Sequence, residues 1–123
     1  MDIATRTHQI EGTCQMLRIL SVETRLRMLS LLAKRHLCVG ALACQLGVTQ
    51  GAVSQHLKIL RDAGLVTAER DGYFVHYRVD RQVLARWQRA LDDMLERLQD
   101  ESTGVAVADE ATATHCKRRK EDA

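Results

Sequence analysis

Residues 38–79 read as helix, tight turn, helix and then a two-stranded hairpin. That order predicts a mainly α protein with a β-hairpin wing, a winged helix-turn-helix. Three observations carry the expectation. Apolar residues recur at three- and four-residue spacing in two successive stretches with Gly47 between them. Asp71-Gly72 separates two strand-like runs. After Asp80 a long amphipathic stretch follows whose apolar face calls for a partner surface.

In chain order, the first expected helix spans residues 7–20, with Ile10, Cys14, Leu17 and Ile19 or Leu20 on one face. Ser21 then caps a second over residues 22–35, with Leu26, Leu29, Leu32 and Ala33 as its inner stripe. Val39, Leu42, Ala43 and Leu46 make the buried stripe of the third, which Gly47 ends in a left-handed conformation; Cys44, next to Ala43, is expected on the buried side. Thr49 caps the fourth, whose stripe is Val53, Leu57, Leu60 and Ala63, and Gly64 closes it. Residues 65–70 and 73–79 flank Asp71-Gly72 as strands joined by a type I′ turn. Asp80 caps the last helix, whose apolar face carries Val83, Leu84, Trp87, Leu91, Met94, Leu95 and Leu98, the residues expected at a dimer interface, with the protein's own core as the alternative for Trp87 and its neighbours.

A chain of 123 residues with 46% hydrophobic residues suits one small domain, drawn here as residues 1–100 with a flexible tail over 101–123. Neither a long apolar run nor a leader pattern is visible, so no membrane partner and a cytoplasmic location are expected. In that compartment four cysteines read as reduced thiols rather than a disulfide framework. Phosphate loops, His-Glu-x-x-His helices and nucleophile-base pairs are all missing, which argues against an enzyme.

Net charge is only +2. Fourteen Lys/Arg stand against eleven Asp/Glu up to residue 100, and four against five beyond it, so binding to nucleic acid depends on where the charges sit. On the fourth helix Gln50, Ser54, Gln55 and His56 could offer hydrogen bonds to base edges. Lys58 and Arg61, with Arg70 and Arg78 of the wing, could hold phosphates. His56 also reads as a half-buried packing histidine, and a charged hairpin is also simply a solvated one. Helix-turn-helix units serve as protein-interaction modules as well.

The segments LCVGALACQLGVTQGAVSQHLKILRDAGLV and DGYFVHYRV resemble the ArsR/SmtB-type winged-helix repressors, over roughly residues 15–98. The resemblance implies a homodimer built on the first and last helices. Two recognition helices would then read a pseudo-palindromic double-stranded operator, with release when a metal, metalloid or other inducer binds. No resident cofactor is implied, and arsenite or another thiophilic ion would be the inducer.

Cys38 lies in HLCVGAL, similar to the family's ELCVCDL or ELCVGDL motif. Gly40 stands where the arsenic-type version has a second cysteine, and Ala41 where the zinc-type version has aspartate, so neither ligand set is complete. The implied site would therefore draw on Cys14, Cys44 or Cys116, and the candidate thiolates are Cys38, Cys14 and Cys116. If Cys38 and Cys44 share one helix, about 9 Å of rise and about 240° of rotation prevent them from chelating together. Dithiol redox or persulfide sensing without metal would use the same atoms. The family's zinc site on the last helix is not expected, because Gln82 and Asp93 occupy the places of imidazoles near Asp80 and Glu96.

Overall fold

The computed structural model describes residues 3–100. Along the chain run α1 (Ile3–Leu20), α2 (Glu23–Leu32), α3 (Val39–Leu46), α4 (Gln50–Asp62), β1 (Val66–Asp71), β2 (Phe74–Val79) and α5 (Arg81–Gln99). The expected tail, with Cys116 and its basic run, lies outside the described residues.

Local chemistry sets most of the boundaries. Cys38 is the N-cap of α3, and its Sγ accepts the Ala41 N–H at 3.4 Å. Gly47 ends that helix at φ +67°. Thr49 Oγ1 accepts the Ala52 N–H at 3.1 Å to start α4, and Gly64 turns the chain out of it at φ +81°. One carboxylate oxygen of Asp80 accepts both the Gln82 and Val83 N–H groups, at 3.0 and 3.2 Å, and opens α5.

The core lies beneath the helix-turn-helix. Met28 and Leu32 of α2, Leu42 and Ala43 of α3, and Val53, Leu57 and Leu60 of α4 close over Leu37, Leu65 and Val66. Antiparallel pairing sets Val66 opposite Val79 and Asp71 opposite Phe74. On its other side β2 meets Leu37, which exchanges two backbone hydrogen bonds with Tyr77. The wing is thereby anchored at its base on both sides of β2. Burial fades along β1 from Val66 outward, so the tip projects beyond the body. Among the described residues no helix is long and apolar enough to cross a membrane.

Several expectations are corrected. Helix α1 begins at Ile3, where the Thr7 hydroxyl donates to the Ile3 carbonyl instead of marking a start. Ser21 does not cap α2: its hydroxyl donates back to Arg18 O, and Val22 fills the cap position without a side-chain bond. That helix stops at Leu32 because the chain must straighten to bring Leu37 beside Tyr77. Its inward face is Met28 and Leu32, while Leu26 is 48% exposed and Ala33 is exposed. Cys44 is exposed, since Leu42 and Ala43 already hold the inner side of α3 and the next residue is carried about 100° past them. The hairpin turn is shifted by one residue. Asp71 pairs with Phe74, leaving Gly72 and Tyr73 as the turn, and only Gly72 has positive φ. A type I′ turn needs positive φ at both central residues, which Tyr73 avoids.

Candidate nucleic-acid interface

The two halves of α4 differ sharply. Val53, Leu57 and Leu60 are buried, and the opposite side presents Gln50, Gly51, Ser54, Gln55, Lys58, Arg61 and Asp62 to solvent. At about 100° per residue, Gln50, Ser54, Lys58 and Arg61 align along one edge of that face, with Gln55 on the other edge. Hydrogen-bonding and cationic side chains expected to meet DNA are thus brought onto one exposed surface. Gly51 lies within it, and a Cβ there would meet only Thr49 Oγ1, at 4.0 Å. Nothing inside the fold requires a glycine at that point.

His56 is not on this surface. It is half-buried on the α2 side, where Nδ1 accepts a hydrogen bond from Arg25 Nε at 3.2 Å. The same guanidinium donates to Ile19 O at 3.2 Å, so Arg25 braces α4 against the junction of α1 and α2. His56 thus packs α4 against α2, the packing alternative that its surroundings favour. Arg25 was missed by sequence reasoning, because a contact across 31 positions leaves no local signal.

An open groove of about 530 Å³ runs between α4 and the wing, lined by Ser54, Leu57, Lys58, Arg61, Asp62 and Tyr77. Lys58 and Arg61 outweigh the single carboxylate of Asp62 there. Tyr77 is opposite Ala68, and Arg70 is opposite Val75 one step further out on the same side of the hairpin, so Arg70 projects on the α4 side. Arg78 does not join it. It pairs with Thr67 on the reverse face, where its Nε donates to Thr67 Oγ1 at 3.2 Å and a terminal nitrogen is 4.0 Å from Glu69. Strict alternation along β2 makes neighbours Tyr77 and Arg78 point to opposite sides. At the tip, Tyr73 is fully exposed and Phe74 stacks on His76 with ring centroids 6.4 Å apart.

The thiols are dispersed. Cys14 is exposed on α1, Cys44 is exposed on α3, and Cys38 is half-buried at the start of α3. Among the described residues no three His, Cys, Asp or Glu side chains gather as a metal site within one chain. Cys116 lies outside the described residues. Asp80, near the family's second metal position, is engaged as the cap of α5.

The α1/α5 side leaves apolar surface uncovered. No residue of α5 is fully buried. Val83 and Trp87 lean on the core, whereas Leu84, Leu95 and Leu98 are exposed, as are Ile10 and Leu17 of α1. A hollow of about 300 Å³ opens between the two helices, lined by Met16, Leu17, Leu20, Leu84, Trp87, Gln88 and Leu91.

Comparison with known proteins places these features in context. Residues 23–68 match the family model described as bacterial regulatory protein, arsR family. The arsenical resistance operon repressor of Escherichia coli (strain K12) is 35% identical over 94 residues, covering 76% of this chain and 80% of that protein. The HTH-type transcriptional repressor SmtB of Mycobacterium tuberculosis is 41% identical over 70 residues, or 57% of this chain, and the chain spans 52% of its length. Among solved structures, the homodimeric winged helix-turn-helix DNA-binding domain of "a possible ArsR-family transcriptional regulator" from Mycobacterium bovis superposes with a TM-score of 0.57. It is 27% identical, and the match covers 80% of this chain and 84% of that one.

Proposed function

We propose, for a chain that belongs to the ArsR family and is a DNA-binding transcriptional repressor rather than an enzyme, that it binds a pseudo-palindromic operator as a homodimer and leaves it when a thiophilic inducer engages Cys38. The observation that carries the DNA reading is the exposed face of α4, where Gln50, Ser54, Gln55, Lys58 and Arg61 line up beside a groove that continues onto the wing. Gln50, Ser54 and Gln55 supply donors and acceptors for base edges, while Lys58, Arg61 and Arg70 neutralise phosphates. Arg78 is left out of that footprint because it lies on the reverse face of the wing.

Dimerisation through α1 and α5 is supported by their uncovered side chains and by the homodimeric relative from Mycobacterium bovis. Each large aliphatic side chain fully covered there contributes about 1.5–3 kcal/mol. Leu84, Leu91, Met94, Leu95 and Leu98 would meet the partner, while Val83 and Trp87 join that face to the core. Two-fold symmetry would then present two copies of α4 to the same side of one duplex.

The inducer reading rests on the position of Cys38. Its sulfur is the acceptor that caps α3, and α3 packs through Leu42 and Ala43 on the α4 stripe. Arsenite bonded to that sulfur, replacing the thiol proton with loss of water, would draw Sγ toward the arsenic and its other ligands and so away from the Ala41 amide, disturbing the first turn of the helix-turn-helix. Further thiolates would come from Cys14 of either protomer or from Cys116, in a cytoplasm that keeps them reduced. The similarity to an arsenical resistance operon repressor favours arsenite among soft inducers. Release requires that the inducer bind the low-affinity conformation more tightly than the DNA-bound one.

Fluorescence anisotropy on the chain's own promoter DNA tests this, with titrations of arsenite, zinc, polysulfide and peroxide. Arsenite is expected to release the DNA, and native mass spectrometry to count the bound arsenic per dimer. Failure to bind the promoter at all would refute the DNA reading. Release by polysulfide or peroxide alone would replace the metalloid with thiol oxidation.

A further inference from the structure

The reverse face of the wing carries a concavity that the DNA reading does not use. It has a volume of about 480 Å³ and is walled by the segment joining α2 to α3, by the base of the hairpin and by the start of α5. Lys34, Arg35 and His36 enter from the first, Arg78 from the second and Arg81 from the third, with Asp80 as the one carboxylate. From this convergence we infer that the concavity is a binding site for a tetrahedral oxyanion of the phosphate class, free or as a small ester.

Four permanent cations drawn from three parts of the fold face one open concavity and concentrate positive potential there. Internal structure occupies only part of their hydrogen-bonding capacity. One terminal nitrogen of Arg81 donates to the Ala33 carbonyl at 3.0 Å, which ties α5 to the end of α2 and orients the guanidinium. Arg78 is fixed by Thr67 and approached by Glu69 at 4.0 Å. Asp80 accepts two backbone N–H groups through one oxygen, and its charge offsets one of the four cations, leaving the lining net positive. Lys34 and Arg35 have no side-chain hydrogen bond or ion pair among the described residues. Two oriented guanidinium groups and two free cations at the rim suit a small, doubly charged oxyanion, since planar guanidinium groups bind such oxygens in pairs. The volume falls in the range of small-ligand sites.

A nucleic-acid phosphate is the other source of the same chemistry. The hairpin separates this concavity from the groove beside α4, since Arg78 points opposite to Tyr77. That separation favours a diffusible ligand, and the inference stands whether or not α4 reads DNA.

The test is a titration of the full chain with inorganic phosphate against chloride at constant ionic strength, followed by calorimetry and by NMR of the arginine side-chain N–H groups. Saturable binding is expected, with the Arg78 and Arg81 signals moving together. The double variant Lys34→Ala/Arg35→Ala is expected to weaken binding by at least about tenfold, as removal of a charge-assisted hydrogen bond does. Its melting temperature without phosphate should stay unchanged, because neither side chain has a partner in the fold. Lys58→Ala, in the α4 groove, should bind phosphate as the parent does. Absence of saturable binding, or equal binding by the double variant, overturns the inference. So does a result in which the double variant loses affinity for duplex DNA of every sequence while phosphate has no effect, which would assign these cations to the DNA backbone instead.

Discussion

Replacing Cys38 by serine exchanges sulfur for oxygen at the atom that receives the Ala41 amide, and its effect can be worked from the geometry. The present contact is 3.4 Å to a weak acceptor, whereas the hydroxyl of Thr49 makes the equivalent bond in α4 at 3.1 Å. Hydroxyl caps are worth about 0.5–2 kcal/mol over alanine, and sulfur supplies only a fraction of that. Cys38→Ser should therefore stabilise the protein by up to about 1 kcal/mol, or about 4–8 °C in Tm for a domain of this size. Cys38→Ala should lose about 0.5 kcal/mol in the same scan. Circular dichroism at fixed protein concentration measures both, and anisotropy measures promoter affinity, which Cys38→Ser should retain while losing its response to arsenite. A fall in Tm for Cys38→Ser would refute the capping argument. Release of DNA at the parent's arsenite concentration would refute Cys38 as the sensing thiol.

Other outcomes are expected from the same surfaces. Gly51→Ala should stabilise the fold by up to about 1 kcal/mol in thermal unfolding, because nothing internal opposes the methyl group, yet weaken promoter binding where backbone and DNA approach closely. An unchanged DNA affinity would show that the glycine face is not pressed against the duplex. Gln55→Ala should relax discrimination between operator sequences, whereas Lys58→Ala should weaken every sequence alike and lower the salt slope by about 0.9 for each phosphate it no longer neutralises. Identical effects from both would end that division of roles. Leu84→Asp combined with Leu95→Asp should shift sedimentation from dimer to monomer and weaken operator binding together, and a persistent dimer would move the interface away from α5.

What could be read in the chain follows the range of the interactions. Caps and helix ends at Thr49, Gly47, Gly64 and Asp80 were legible because a side chain meets an amide two or three residues away, or because φ alone decides the matter. The exposed face of α4 was legible for a similar reason, as helical spacing separates Val53, Leu57 and Leu60 from Ser54 and Lys58. Distant contacts were not. Spacing alone leaves His56 open between base contact and packing because nothing nearby in the sequence signals Arg25, and it misplaces the inner face of α2 because packing, not spacing, chose Met28 over Leu26. Arg70 and Arg78 looked equivalent until the register showed their side chains on opposite faces of the hairpin. Cys44 looked buried beside Ala43, yet a helix as short as α3 needs only one inward edge.

The wing has a further consequence for behaviour in a crowded solution. Leu37 occupies one side of β2, but the outer rim of β1 has no strand beside it among the described residues. Its last three positions are Glu69, Arg70 and Asp71, all exposed. Another molecule adding itself to that rim would have to strip water from three successive charged side chains, which discourages sheet-to-sheet aggregation. The fold can thus carry an open ribbon of backbone without becoming a seed for fibres.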